Sequence, residues 1–269
     1  MGLERGVPIR AISRGLAVLQ AVNRNPPLSM TQISRTAEVP YPTACRIVQT
    51  LLTEGLIERE PSRKRYRPTA LVKTLASGFH DENQLVSIAR PHIIDVTKDV
   101  VWPVSLSTRV GARMMVRDST FALTSLTLNN YYPGYTLPLA ECSSGKAYMA
   151  FCDDEEREAI LDGLRALDGP AEKMGVLMLQ DARALDGVRE AGFATQPRNV
   201  YTANPGRTSS IAVPIFADGK IHGTLALVFF ASALSVDEAA EKFLSRLQEG
   251  ADAIGRSLAA QPAALPEPD

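Results

Sequence analysis

From Leu28 the chain runs LSMTQISRTAEV, then YPTACRIVQTLLTEG, then LIEREPSRKRYRPT. In order these read as a short capped helix, a second helix and a basic hairpin, which is the layout of a winged helix-turn-helix. In the second helix Ala44, Ile47, Val48, Leu51 and Leu52 recur at helical spacing and form one apolar stripe. Thr43, Arg46, Gln49, Thr50 and Thr53 fall on the opposite face, where Arg46 and Gln49 suit bidentate contacts to base edges. Tyr41 and Thr43, near the amino end, would enter a major groove deepest. Ser29 and Thr31 supply hydroxyls at the start of the preceding helix, and Gln32 is close enough to share in the cap. Pro40 and Pro42 punctuate the turn. A first helix, about Ser13 to Arg24, offers Ile12, Leu16, Leu19 and Val22 as its buried stripe and completes a three-helix core.

In the hairpin Leu56 and Ile57 can pin a strand to that core while Pro61 and Ser62 turn the chain. Arg59, Arg63, Lys64, Arg65 and Arg67 then crowd together with Tyr66. A charge run alone reads as a solvated loop. Joined to a helix-turn-helix of matching length, it reads as a phosphate-binding wing. Thr31, Gln32, Tyr41, Thr43, Arg46, Gln49, Thr50 and the five wing cations are the expected contacts to double-stranded operator DNA. The charge balance agrees: up to His80 twelve basic residues face five acidic ones, a net +7, against −8 for the rest of a chain whose total is −1.

At 269 residues with 45% hydrophobic composition the chain can build two cores. The expected division is a DNA-binding domain over 9–68, a linker helix over 69–82, a second domain over 83–260 and a disordered Pro- and Ala-rich tail over 261–269. The linker places Leu71, Val72, Leu75, Ala76 and Phe79 at helical spacing, an apolar face for a second copy. No apolar run approaches the roughly 18 residues of a membrane span, and MGLERGVPIR lacks a signal core, so a cytoplasmic location is expected. Cys45, Cys142 and Cys152 make neither zinc spacing nor an even disulfide set, so no metal and no cofactor is expected.

The second part starts with a helix over about Asn83 to Val100, which Pro91 should kink or break. PVSLSTRV, ARMMVRD and FALTSLTL read as strands. SSGKAYMAFC, DDEEREAILDGL and LQDARALDGVREAG read as helices, the second capped by Asp153 or Asp154 and the third stopped by Gly192. SSIAVPIF and IHGTLALVFF form a hairpin around Asp218-Gly219. A helix over about Ser235 to Leu258 packs Ala239, Phe243, Leu247 and Ile254 on the sheet.

SRGLAVLQAV, LSMTQIS, YPTACRIVQTLLTEGLIER and YRPTALVKTLASGF, with IARPHIIDVTKDV, LPLAECSSGKAYMAF and SSIAVPIF, resemble the IclR family of transcriptional regulators from about Ile9 to Ala260. VVWPVSLST, GFHDE and FFASALS look most like its regulators of 3-(3-hydroxyphenyl)propionate and related aromatic acid catabolism. The resemblance implies an α+β chain: a winged helix-turn-helix, a linker helix and a GAF-like α/β effector-binding domain. It also implies a homodimer or dimer of dimers, with RNA polymerase as a further candidate partner. It places an effector between the sheet and the loop Cys142-Ser143-Ser144-Gly145, with Ser209, Ser210, Ala226 and Val228 on the sheet side. Ser105, Met114, Met115, Leu126 and Tyr135 are candidate walls, each apolar one also readable as plain core. Amides at a helix amino terminus attract a carboxylate, and Gly145 permits close backbone approach. Many family members have histidine where this chain has Ala140, so no role of that histidine carries over. The apolar LALVFF strand favours a larger, partly apolar ligand, a small aromatic carboxylic acid, over one of glyoxylate size; a non-aromatic acid is the alternative. Two rivals are a hydrolase-like body with Cys142 or Ser143 as nucleophile and His92 or His222 as base, and an architectural DNA binder. Three histidines outside any catalytic motif weigh against the first.

Overall fold

The computed structural model describes residues 9–24, 27–77, 84–127, 131–166, 170–198 and 206–260. It divides into two compact units, Met1–His80 and Asp81–Asp269. The tail 261–269 and the last five residues of the expected linker, 78–82, lie outside the described residues.

The first unit runs α1 (Arg10–Arg24), β1 (Leu28–Ser29), α2 (Met30–Thr36), α3 (Tyr41–Thr53), β2 (Ile57–Arg59) and β3 (Arg65–Pro68). Its core joins Val18, Val22, Ile33, Val39, Ala44, Val48 and Ile57. The stripe expected on α1 is corrected. Leu19 and Val22 are buried, but Ile12 is 58% and Leu16 54% exposed, and Val18 and Ala21 take their place. The buried face is rotated slightly and confined to the carboxyl-terminal half, while the amino-terminal half borders an open groove with α3. Ser29 and Gln32 form a reciprocal capping box at α2. The turn into α3 closes through Glu38 at φ 53° and the Ser34 hydroxyl, which donates to the Val39 carbonyl at 2.7 Å. The wing is three-stranded in the order β1-β3-β2, with Leu28 opposite Tyr66 and Ile57 opposite Pro68. The described part of the linker is a 3-10 helix, Ala70–Ala76, capped by the Thr69 hydroxyl, which also donates to the Gly55 carbonyl at 2.6 Å. Val72 packs on the first core, while Leu71 and Leu75 stay exposed.

The second unit is built on one six-stranded antiparallel sheet, β6-β5-β4-β9-β8-β7. Its strands are β4 (Val104–Val110), β5 (Arg113–Ser119), β6 (Thr136–Pro138), β7 (Ala194–Gln196), β8 (Thr208–Ala217) and β9 (Lys220–Phe230). Side chains alternate between its faces. Ile211, Val213, Ile215, Leu225, Leu227 and Phe229 join the core against α4 (Leu85–Val100) and α9 (Val236–Ala259). Ala212 and Ala226 turn the other way, onto Ala147 of α5 (Ser143–Phe151). Three small side chains there let α5 lie close to the strands. The helices α6 (Asp154–Arg165), α7 (Pro170–Leu179) and α8 (Ala182–Ala191) follow, and a second core spreads from Met149 through Leu161, Leu164 and Leu185.

The hairpin β8–β9 turns at Asp218 and Gly219, both at positive φ (50° and 74°), as a two-residue type I′ connection requires. Asp153 caps α6, and Gly192 ends α8 at φ 75°. One expectation is narrowed and one corrected. Of the two outcomes expected at Pro91 the break does not occur: α4 runs through it, with the ring and Ser87, whose carbonyl loses its partner, both facing solvent. FALTSLTL is not a strand. The buried Thr120 hydroxyl contacts Val104 N at 2.9 Å and Thr97 Oγ1 at 2.7 Å, and Ser119 Oγ accepts from Phe121 N at 3.3 Å. These local bonds fold Phe121–Leu123 into a 3-10 turn instead.

Candidate functional site

On α3 the buried side is Ala44, Val48 and Leu51, so Arg46, Gln49 and Thr50 stand exposed and Tyr41 is 50% exposed at the amino end. Thr43, Arg46, Gln49 and Thr50 share an open groove with Arg10, Ile12 and Arg14 of α1. The Thr50 hydroxyl donates to the Arg46 carbonyl at 3.1 Å, which leaves it only lone pairs to offer a ligand. Gln32 is engaged in the α2 cap, its Oε1 accepting from Ser29 N at 2.9 Å, while Thr31 is exposed beside it. The wing cations are not equivalent. Arg67 Nε lies 2.6 Å from Glu58 Oε1, and Arg65 Nη1 donates to the Pro27 carbonyl at 3.3 Å. Arg63 and Lys64 are exposed at the tip, and Arg59 is exposed on β2.

In the second unit a cavity of about 30 Å³ lies between the sheet and the start of α5. Of the expected residues, Ser105, Cys142, Ser143, Ser144, Ser209, Ser210, Ala226 and Val228 line it. Met115, Leu126, Tyr135 and Gly145 do not. Met115 alternates with Met114 and Val116 on β5; Val116 faces the cavity and Met114 joins the second core. Leu126 packs on the α4–α9 core. Tyr135 stacks edge-on with Tyr131, centroids 5.8 Å apart, and Tyr131 is the wall. Gly145 is approached by the Leu139 backbone rather than by open space. The wall also includes Ser107, Val116, Leu137, Glu141, Gln196 and Thr208. Ser107 was readable as the residue two beyond Ser105 on the same face; Tyr131, outside any strand, and Gln196, at the end of β7, carried no sequence signal.

The LALVFF strand supports less than its composition implied. Leu225, Leu227 and Phe229 belong to the opposite core, and the cavity meets only Ala226 and Val228. The rest of the wall is rich in hydroxyls, several of them paired. Ser143 Oγ and Ser210 Oγ are 2.8 Å apart, Ser105 Oγ and Ser119 Oγ 3.0 Å, and Tyr131 Oη and Thr208 Oγ1 3.3 Å. Among the described residues no Lys, Arg or His lines the cavity.

Cys142 caps α5, its sulfur accepting from Gly145 N at 3.3 Å. Burial pushes its thiol up to about 12, and burial likewise takes Cys152 to about 11. A thiol so far from ionising is no nucleophile at neutral pH. His92 lies instead between α4 and α9, 3.4 Å from Ser257 Oγ. With Cys142 and Cys152 buried and Cys45 half-exposed, dithionitrobenzoate at pH 8 is expected to titrate one thiol per native chain and three after unfolding. Rapid labelling of more than one would contradict the burial. Among the described residues no His, Cys, Asp and Glu cluster could hold a metal, and no helix is long and apolar enough to cross a membrane.

A winged helix-turn-helix in one unit and an α/β fold with a hydroxyl-lined cavity in the other make the architecture of a DNA-binding transcriptional regulator. The chain matches the IclR helix-turn-helix domain over residues 11–61 and the bacterial transcriptional regulator IclR C-terminal domain over residues 79–256. It belongs to the IclR family of transcriptional regulators, whose members are DNA-binding proteins rather than enzymes. It is 23% identical to the HTH-type transcriptional regulator TsaQ1/TsaQ2 of Comamonas testosteroni over 159 residues, 58% of this chain and 57% of that regulator's length. An IclR homologue from Microbacterium hydrocarbonoxydans, complexed with 4-hydroxybenzoate, superposes with a TM-score of 0.64 at 23% identity, covering 93% of this chain and 100% of that one. The Thermotoga maritima IclR gives 0.61 at 22% identity, covering 92% and 98%.

Proposed function

We propose that this protein is a ligand-responsive regulator of a catabolic operon, whose second unit senses a small carboxylic acid of the hydroxyphenylpropionate or hydroxybenzoate kind. The observation that carries the reading is the hydroxyl-rich cavity at the amino end of α5. With no cation and one carboxylate, Glu141, in its described wall, a bound carboxylate would be held away from Glu141 by serine hydroxyls and by the positive end of the helix. Val116, Leu137, Ala226 and Val228 supply apolar surface for a ring. The 4-hydroxybenzoate in the Microbacterium homologue adds support from a protein of the same fold.

At about 30 Å³ the cavity is far below the roughly 300 Å³ of a typical ligand pocket, so an aromatic acid must widen it. That small volume favours a second reading, a non-aromatic small acid. In either case the effector acts by binding one arrangement of a dimer better than another and so changing the spacing of two recognition helices.

The test is fluorescence anisotropy of the protein on its own upstream DNA at fixed salt, with a panel of hydroxyphenylpropionic, cinnamic, benzoic and short-chain acids. We expect a hydroxylated aromatic acid to shift the binding curve. A shift with short-chain acids alone would select the second reading. Tight, specific binding that no acid alters would overturn the sensor role.

A further inference from the structure

We infer that Gln196 makes this cavity selective for ligands that carry a hydrogen-bond donor, a hydroxyl in addition to the carboxylate; the inference rests on the sensor reading above. Gln196 is the last residue of β7 and lies opposite Ser210 on β8. Its amide nitrogen is committed to the Pro197 carbonyl at 3.1 Å, which fixes the sense of the amide. Its Oε1 is buried and has no hydrogen-bond partner. In the cavity wall Ser143 pairs with Ser210 at 2.8 Å and Tyr131 with Thr208 at 3.3 Å, and no hydroxyl bonds Gln196 Oε1.

A buried acceptor without a donor costs free energy, and where its residue lines a ligand cavity a ligand that supplies the donor can match it. Thr224 Oγ1 is also buried without a partner, but a hydroxyl can turn and Thr224 is not in the cavity wall. Gln196 Oε1 cannot change from acceptor to donor without giving up the Pro197 bond. A carboxylate offers no proton and cannot satisfy it. A phenolic or alcoholic hydroxyl can, and a site built to bond one discriminates against the analogue that lacks it.

The experiment is isothermal titration calorimetry of the full chain with three matched pairs: 4-hydroxybenzoate and benzoate, 3-(3-hydroxyphenyl)propionate and 3-phenylpropionate, lactate and propionate. In whichever pair binds, the hydroxy acid is expected to bind about tenfold tighter. Gln196→Met, close in length but without the acceptor, is expected to remove that preference by weakening the hydroxy acid more than its partner. The substitution deletes the unpaired acceptor together with the exposed hydrogen bond to Pro197, two losses of opposite sign, so the ligand-free variant should melt close to the wild type. Equal affinities within a binding pair, a preference that survives Gln196→Met, or a marked fall in the variant's melting temperature would each overturn the role given to Gln196. Binding of none of the six acids would overturn the sensor reading itself, and the selectivity with it.

Discussion

Gly145→Ala is expected to destabilise the second unit by about 3 kcal/mol and to abolish its response to any effector. A Cβ at this position would lie 2.0 Å from the Leu139 carbonyl oxygen, 2.6 Å from its carbon and 2.7 Å from its Cα. All three are backbone atoms, so no side chain can swing aside. Alanine does gain helix propensity over glycine, but only by about 1 kcal/mol. Typical overpacking costs about 1–3 kcal/mol, and a backbone collision belongs at the upper end of that range. Relief requires α5 to part from the 3-10 turn Leu139–Glu141. Glu141, Cys142, Ser143 and Ser144 sit on those two elements, so the same movement would pull the cavity open. Urea unfolding followed by far-ultraviolet circular dichroism, with anisotropy on DNA as the second readout, checks both parts. A midpoint within about 0.5 kcal/mol of wild type, with the effector response intact, would show that the backbone yields.

The glycine also marks how far the sequence could be read. The stretch Cys142–Gly145 was legible as a site through the family resemblance, and the structure makes Ser143, Ser144 and Gly145 the first turn of α5 rather than a loop before it. The glycine's partner was not legible, since the Leu139 carbonyl reaches it through tertiary packing. Long elements with their own signals came through: α3 by its stripe, α9 by its Ala239, Phe243, Leu247 and Ile254 stripe, and β8–β9 by Asp218-Gly219. The omissions are β1, β6 and β7, two or three residues each, which exist only because a longer strand lies beside them. The helix α7 was missed because Gly175 interrupts its apolar pattern and its start carried no cap signal. For the cavity, loop and strand positions were readable, but facing direction was not always: Met115 misses it by one residue, whereas Gln196 enters from the end of a strand no local pattern announced.

In the first unit, Arg46→Ala is expected to weaken operator binding by about 1–3 kcal/mol and to relax sequence preference, while affecting random duplex far less. Arg46 is exposed in the middle of α3, beside Gln49 and Thr50, where a helix in the major groove meets base edges. Arg63→Ala should instead weaken all DNA about equally and lower the slope of log affinity against log salt by about 0.9, the loss of one phosphate contact. Arg67 carries the same formal charge but lies 2.6 Å from Glu58, with both side chains about half exposed. That carboxylate already offsets its charge, so Arg67→Ala should lower the slope by less than Arg63→Ala. Glu58→Gln, which removes the offset, should strengthen binding to every sequence and steepen the slope. Anisotropy titrations on operator and random duplexes between 50 and 200 mM salt, roughly the range over which such slopes are resolved, separate these outcomes. Equal losses on both duplexes for Arg46→Ala would remove it from base reading. A slope unchanged by Arg63→Ala and Glu58→Gln would take the wing off the phosphates.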